Sequence, residues 1–579
     1  MPDLPAFAKA TAGSRRSASR GGGKVRPTFA AVAMALGAWV ALDAQGPLDP
    51  SLLLKPPTDA WASYHGDYTG RHYSPLKQID AANAHGLTLA WYFKTTASTE
   101  NAIVSGMDPA SAPAGPGRGG APATTTGPLI KAIPLMVNGI LYFTGPNHIY
   151  AVDARTARMR WHHYWRGRTA IGNRGVAMYK GWLFALMPDN TVVSLDADTG
   201  KERWTRKLTP PDVSNWSTSA PLVIRDHVIV GIGGDTPVGA TRGFVESLDP
   251  ETGTSQWKWW VTPGPGEPGI ETWPNPELSL KSSGAPWQPP TYDPDLNLLY
   301  VPTGQPTPTY NGKSREGANL YTCSIVALNP DTGKMTWYYQ TSPHETHDWD
   351  ATEVAILVDG TIDGKPRKLL AQANRNGYFF VLDRTNGQPI VVKPFALSNS
   401  YHGVDNGVLV PNPAKEGSPG GTLVFPTSDG AVNFPAQSFS PDTGLFYTNA
   451  TDSGSIFYLS PDPTDPTGLG RGQEWHGGTY QSRMVAIDYR TGDVKWQHNY
   501  PLNGWGSSQQ PGVLSTGGGV VFSGDPSGNF VAFDAGTGKI IWHAQLGSQI
   551  TNGPQTYLLD GRQYVTVAAG DTLWAFYLQ

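Results

Sequence analysis

The densest run of chemically capable side chains is Pro343-His-Glu-Thr-His-Asp-Trp-Asp350, which sets His344 and His347 three residues apart among three carboxylates. Imidazole and carboxylate at such spacing are the ligands a divalent metal takes. A histidine is also the side chain that most readily moves a proton near neutral pH. His162-His163, His402 and His476 add further imidazoles to which no role is assigned. Sulfur chemistry is narrow: Cys323 is the one cysteine, so no disulfide forms within the chain. No Cys-x-x-Cys-His is present, so no c-type haem is attached to it.

The elements that must position these groups announce themselves as a repeat. Two or three apolar residues, an Asp or Asn, a Thr-Gly turn and a Trp recur as Tyr150-Ala-Val-Asp153 to Trp161, Val193-Ser-Leu-Asp196 to Trp204, and Glu246-Ser-Leu-Asp249 to Trp257. They return as Val326-Ala-Leu-Asn329 to Trp337, Val485-Ala-Ile-Asp488 to Trp496, and Val531-Ala-Phe-Asp534 to Trp542. A weaker copy, Phe380-Val-Leu-Asp383 with Asn386-Gly387, ends in Ile390, and Trp91 marks a truncated first copy. The apolar run reads as a buried strand, Asp-x-x-Thr-Gly as a tight turn whose Gly takes positive φ, and the Trp as the start of an outer strand. Units of about 40–50 residues that bury their faces only against neighbours make a propeller or a solenoid. The expected fold is all-β, an eight-bladed β-propeller with tryptophan-docking repeats.

Bulk composition agrees. Hydrophobic residues are 39% and charged residues 16% of 579, a globular balance, while 68 Gly, 51 Pro and 20 Trp suit many turns and large aromatic anchors. Arg15, Arg16, Arg20, Lys24 and Arg26 precede an apolar stretch from Thr28 to Ala41, and Leu42-Asp43-Ala44 can end it. Residues 1–44 therefore read as an export signal of the Sec type, because the apolar run of 14 residues is shorter than the roughly 20 that span a bilayer. A single-span anchor is the competing reading. Removing six Lys/Arg and two Asp/Glu with that segment takes the formal net charge from −4 to −8. An acidic chain with no basic run is a poor partner for nucleic acid. Residues 45–579 are expected to form a single propeller domain, periplasmic or secreted, with no membrane contact once the signal is gone. Ser105 to Gly127, rich in Gly, Pro, Ala and Thr, is expected to be a flexible insertion.

The Trp-turn repeats, together with Gly70-Arg-His-Tyr-Ser-Pro-Leu-Lys-Gln-Ile79, Asn173-Arg-Gly-Val176, Pro343 to Asp350 and Arg375-Asn-Gly377, resemble pyrroloquinoline quinone (PQQ)-dependent alcohol dehydrogenases, the soluble haem-free branch above all. The resemblance runs from about residue 57 to the C-terminus. It implies PQQ in the central channel between a Trp and a disulfide of adjacent cysteines, a calcium or lanthanide ion polarising the quinone, and an Asp that takes the alcohol proton. Matched residue by residue, Trp287 corresponds to the stacking Trp and Arg174 to the Arg that binds a cofactor carboxylate or quinone oxygen. Thr218 and Asn376 correspond to hydrogen-bonding residues around the cofactor, and Gly233 and Gly234 to the small residues beside it. The resemblance also marks the His344–His347 phrase as a blade-turn element.

Four chemically demanding places depart from the pattern. Gln305 stands where a metal-binding Asn belongs, and Gly233-Gly-Asp235-Thr236 aligns Thr236 with an acidic metal ligand, leaving Asp235 as the nearby candidate. Ala318 replaces the general-base Asp. Lys131 replaces a Glu near the cofactor, and Arg168-Thr169 occupy the place of the paired cysteines. A hard cation wants several anionic oxygens, so a calcium site, with Asp235 and Gln305 as its ligands, is poorly supplied. Lys131 offers a positive charge that can pair with a cofactor carboxylate or partly replace the ion. The residues left to act as catalytic acid or base are Lys131, Asp235, Glu316 and His344.

Three functions follow. The first is a periplasmic oxidoreductase that oxidises an alcohol or aldehyde with PQQ and passes electrons to a separate acceptor, a soluble cytochrome c by resemblance. The second is a propeller-pocket enzyme repurposed as a lyase, hydratase or hydrolase. The third is a non-catalytic binding propeller. A small-molecule substrate is expected in the first two, and the oligomeric state stays open between a monomer and a homodimer.

Overall fold

The computed structural model describes residues 47–106, 129–167, 173–210, 217–233, 242–501 and 510–579. The repeat becomes a sheet in the way its residues dictate. In the turn after Val193-Ser-Leu-Asp196, Asp196 Oδ1 accepts the backbone amide of Thr199 at 2.9 Å and its hydroxyl at 2.6 Å, and the amide of Gly200 donates to Asp196 O. The same bonds tie Asp153 to Thr156, Asp249 to Thr252, Asn329 to Thr332 and Asp534 to Thr537. One carboxylate or amide oxygen thus satisfies two donors that a tight hairpin leaves open.

The Trp that follows locks each sheet to the next. Trp161 donates its indole N–H to Ala197 O (2.8 Å), Trp204 to Pro250 O (3.2 Å), Trp257 to Pro330 O (2.7 Å) and Trp496 to Ala535 O (3.0 Å). Its ring lies on the glycine of the neighbouring turn. Gly333 has φ +68°, and a Cβ there would come within 2.5 Å of Trp257 Cε3. We expect Gly333→Ala to cost about 2–4 kcal/mol, from left-handed strain plus overpacking. Gly266→Ala, at φ +78° in open space, should cost only the strain, about 1–2 kcal/mol. Equal falls in thermal midpoint for the two variants would refute this account of the seam.

The expectation of eight tryptophan-repeat blades is corrected by the strand pairing. Seven sheets are each built from four successive antiparallel strands, whose innermost members are Leu135–Val137, Ala177–Tyr179, Leu222–Ile224, Thr291–Asp293, Ile356–Ile362, Ser438–Ser440 and Leu514–Thr516. The copy assigned to Trp91 is not a first repeat. Its strand, Leu87–Lys94, pairs antiparallel with Thr572–Leu578 and is the outer strand of a composite sheet whose other members, Gln555–Leu559, Arg562–Ala569 and Thr572–Leu578, are C-terminal. Trp91 still donates to Ala154 O at 2.9 Å. Both chain ends therefore join in one sheet that closes the ring, which removes the open edges a linear array would expose.

The hub is threaded by residues 58–74. Their backbone bonds the innermost strands through Thr58 to Leu558, Trp61 to Met136, Tyr68 to Tyr292, Thr69 to Leu357, Arg71 to Phe439 and His72 to Ser515. Trp61 and His72 are wholly buried there. Of the expected insertion, Ser105 and Gly106 belong to a strand, Ile103–Gly106, paired parallel with Met159–Arg166. Residues 107–127, like the export signal at 1–44, lie outside the described residues. No helix among the described residues is long and apolar enough to cross a membrane.

Candidate functional site

In each sheet the chain reaches the innermost strand through a short segment at one end of the hub, and those segments carry the functional side chains. Residues 129–134, 173–176, 217–221, 285–290, 350–355 and 433–437 bring in Lys131, Arg174, Thr218, Trp287, Asp350 with Glu353, and Phe434. Backbone bonds hold adjacent segments in register: Ile133 N–H donates to Arg174 O at 3.2 Å, and Arg174 N–H to Thr218 O at 3.0 Å.

Arg174 and Trp287 are in contact at the hub. The guanidinium carbon of Arg174 lies 4.6 Å from the Trp287 ring centre and 4.3 Å from that of Phe434. Lys131 Nζ stands 5.5 Å over Phe434, and the Arg375 guanidinium 5.3 Å over Trp287. Three cations thus converge on two aromatic faces. Arg174 is 4% exposed, and its Nε and Nη1 have no hydrogen-bond partner, nor does the Thr218 hydroxyl. Burial pushes the Arg174 pKa down to about 9, with Arg375 adding repulsion and Tyr64 pulling it back. Burial, then Arg174, lowers Lys131 too. A buried charge so poorly compensated is costly. A flat polyanion stacked on the rings would relieve it.

Asp350 fixes the floor of the slot. Its Oδ2 accepts the Trp287 indole N–H at 2.9 Å and lies 3.1 Å from Arg375 Nη2, while Oδ1 accepts the Gln305 backbone N–H at 2.7 Å. Arg375 is buried, which works against its charge, but Asp350, Asp348, Glu353 and Asp429 outweigh that and raise its pKa overall. Gly233 has no room for a side chain, since a Cβ would meet Ala285 Cβ at 2.5 Å. It lets the Trp287 segment sit down on the neighbouring sheet rather than offering a contact of its own.

Other expected residues fall elsewhere. Asn376 is spent on its turn, with Nδ2 donating to Thr341 O (3.1 Å) and Ser342 Oγ (3.0 Å) and Oδ1 accepting Tyr378 N–H. It braces Arg375. His344 bonds Gly317 O through Nδ1 at 2.8 Å, and His347 bonds Lys415 O through Nε2 at 2.8 Å while stacking on Trp349. Both imidazoles are committed to carbonyls. Glu316 is exposed and Ala318 half-buried. Gly234, Asp235, Thr236, Arg168 and Thr169 lie outside the described residues. Among the described residues no three His, Cys, Asp or Glu converge as a metal cluster.

Sequence reasoning missed Phe434, Asp350, Arg375 and Glu353 as site residues. Asp350 and Arg375 stand inside phrases it did single out, Pro343 to Asp350 and Arg375-Asn-Gly377. Phe434 has no local signal.

Comparison with known proteins agrees with this geometry. Residues 61–394 and 479–565 match the family model of the PQQ-type glucose/ethanol/alcohol dehydrogenase β-propeller domain. The chain is 34% identical over 557 residues to a quinohemoprotein alcohol dehydrogenase of Comamonas testosteroni, covering 89% of this chain and 73% of that one. It is 31% identical over 570 residues to a lanthanide-dependent methanol dehydrogenase of Methylacidiphilum fumariolicum, covering 91% and 87%. The solved structure of the Comamonas testosteroni quinohemoprotein alcohol dehydrogenase superposes with a TM-score of 0.79 at 31% identity, over 92% of this chain and 82% of that one. A europium-containing methanol dehydrogenase superposes with a TM-score of 0.78 at 28% identity, over 92% and 100%. With the cationic, aromatic-walled slot at its hub, the chain belongs to the family of PQQ-type alcohol dehydrogenase β-propellers.

Proposed function

We infer that the protein is a quinoprotein oxidoreductase that oxidises an alcohol, with PQQ held at the hub. The observation that carries this is Arg174: a buried guanidinium with two unpartnered nitrogens, stacked against Trp287 and Phe434, in a chain of this family. PQQ is flat, aromatic and anionic through three carboxylates, so it answers both the ring faces and the three cations. When bound, it supplies a two-electron acceptor for the alcohol. Lys131, Arg174 and Arg375 would pair with its carboxylates and quinone oxygens, and Trp287, pinned by Asp350, would form the stacking floor.

A divalent ion is less well served. The described walls offer the Gln305 amide beside Asp350, whose oxygens already engage Trp287, Gln305 N–H and Arg375. Three cations in the same slot oppose another. We propose that Lys131 carries part of the charge an ion would supply. Electrons would then pass to a cytochrome acceptor, as the family resemblance implies. The export-type segment at 1–44 supports a periplasmic site of action.

The test is reconstitution of the purified protein with PQQ alone, with PQQ and calcium, and with PQQ and lanthanum. We expect retained quinone absorbance in all three and alcohol-dependent reduction of an artificial dye. Retained quinone without dye reduction under any of the three conditions would favour the repurposed pocket over the dehydrogenase.

A further inference from the structure

The hub contains a buried carboxyl group whose only ion-pair partner among the described residues is Arg375. Glu353 sits between Asp350 and the innermost strand Ile356–Ile362. Its side chain is 1% exposed, and no side chain donates a hydrogen bond to either carboxylate oxygen. The nearest cation is the same Arg375 that overhangs Trp287, with Nε 3.9 Å from Glu353 Oε1. Among the described residues, the other acidic and basic candidates named above are spoken for or misplaced. Asp350 accepts from Trp287 and Gln305 and pairs with Arg375. His344 is held on Gly317 O, Glu316 is exposed, and Lys131 belongs to the cationic wall. Ala318 stands where the general base would be expected and has nothing to offer a proton.

We propose that Glu353 is the group that takes the hydroxyl proton as the alcohol is oxidised; this rests on the dehydrogenase reading. The alcohol O–H proton passes to the Glu353 carboxylate. The C–H bond breaks with its electron pair going as hydride to the quinone oxidant, and the carbon–oxygen double bond forms. Two electrons and one proton leave with the hydride, and the second proton stays on Glu353 until it is passed to water. Only the ionised carboxyl can act.

Burial pushes the Glu353 pKa up to about 8, opposed by the Arg375 guanidinium and by the backbone N–H groups of Glu353 and Arg375, and reinforced by Asp350. The other charges near this corner are Asp348 and Asp429, which act on Arg375, and Arg71 on the hub segment, whose Nε donates to Leu357 O. The folded pKa lies above the ordinary value of 4.5. The neutral carboxyl therefore stabilises the fold below that value, and the contribution is lost as pH rises to about 8.

Glu353→Gln in the PQQ-reconstituted enzyme, assayed with ethanol and 1-butanol, tests this. We expect kcat to fall about 100-fold or more, with PQQ affinity within threefold of wild type. The wild-type rate should rise with pH through an apparent pKa near 8. That limb should vanish in Glu353→Gln and shift in Glu353→Asp, which keeps the carboxyl if the amide variant folds poorly. Without cofactor or turnover, the thermal midpoint of wild type should drop relative to Glu353→Gln between about pH 4.5 and 8. A kcat within threefold with the limb intact, a parallel loss of PQQ affinity, or coincident melting profiles would overturn the assignment. A wild-type holoenzyme that oxidises no alcohol would instead overturn the dehydrogenase reading itself.

Discussion

Arg174→Gln should weaken PQQ binding by about 100- to 1,000-fold, equivalent to about 3–4 kcal/mol, the scale of a desolvated charge pair cut on one side. The same change should leave the unliganded protein as stable as wild type or more so. These opposite signs follow from one fact. Arg174 is 4% exposed, and it meets aromatic faces rather than a carboxylate. Without ligand it is a buried charge whose removal relieves a penalty, and with an anionic ligand it is the partner that makes the complex tight. Equilibrium dialysis of PQQ and thermal melting of the apoprotein measure the two arms. An unchanged affinity would mean the cofactor, if bound, sits away from the Trp287–Phe434 slot. A large fall in apoprotein stability would mean that Arg174 is chiefly structural.

The second large effect is expected at Asp350. Asp350→Ala should destabilise the protein by about 3–5 kcal/mol, because it strips the buried Arg375 of its closest carboxylate, and it also strands the Trp287 indole and Gln305 amide N–H groups. Trp287 would lose the bond that sets its ring plane, so PQQ retention should fail as well. The double variant Asp350→Ala/Arg375→Met should recover a good part of the lost stability, since removing both partners of a buried pair costs less than removing one. It should not recover PQQ binding. A double variant no more stable than Asp350→Ala would show that the loss arises at the indole and the Gln305 amide rather than at the ion pair. Apparent thermal midpoints and quinone absorbance after gel filtration read the two effects separately.

Much of this was legible in the chain, and for a definable reason. The turn chemistry is local: Asp196, Thr199 and Gly200 bond one another within five residues, so the spacing itself encodes the hairpin. The docking Trp is legible because its partner, the next Thr-Gly turn, carries the same residue pattern from copy to copy however far along the sequence it lies. Trp91 broke that logic. It has the residue type of a repeat but its sheet lies at the other end of the chain, in Thr572–Leu578, and only strand pairing across nearly the whole sequence reveals it. Arg174 and Trp287, which the structure brings into contact, each sit in a recognisable phrase. So do Asn376 and Gly233, which the structure places behind Arg375 and Trp287.

The sequence by itself determined the blade, its turn, its seam and the family, since these depend on contacts that recur from one repeat to the next. The tertiary structure alone decided how the ring closes and which unlike side chains meet at its hub. Lys131, Arg174, Trp287, Asp350, Arg375 and Phe434 come from sheets spread over about 300 residues of chain, and nothing in the repeat distinguishes one spoke from another. Burial did the rest. Whether a carboxyl such as Glu353 is an ordinary surface acid or a proton acceptor poised near neutral pH depends on the water it loses and the cation it gains, and both are properties of the folded hub.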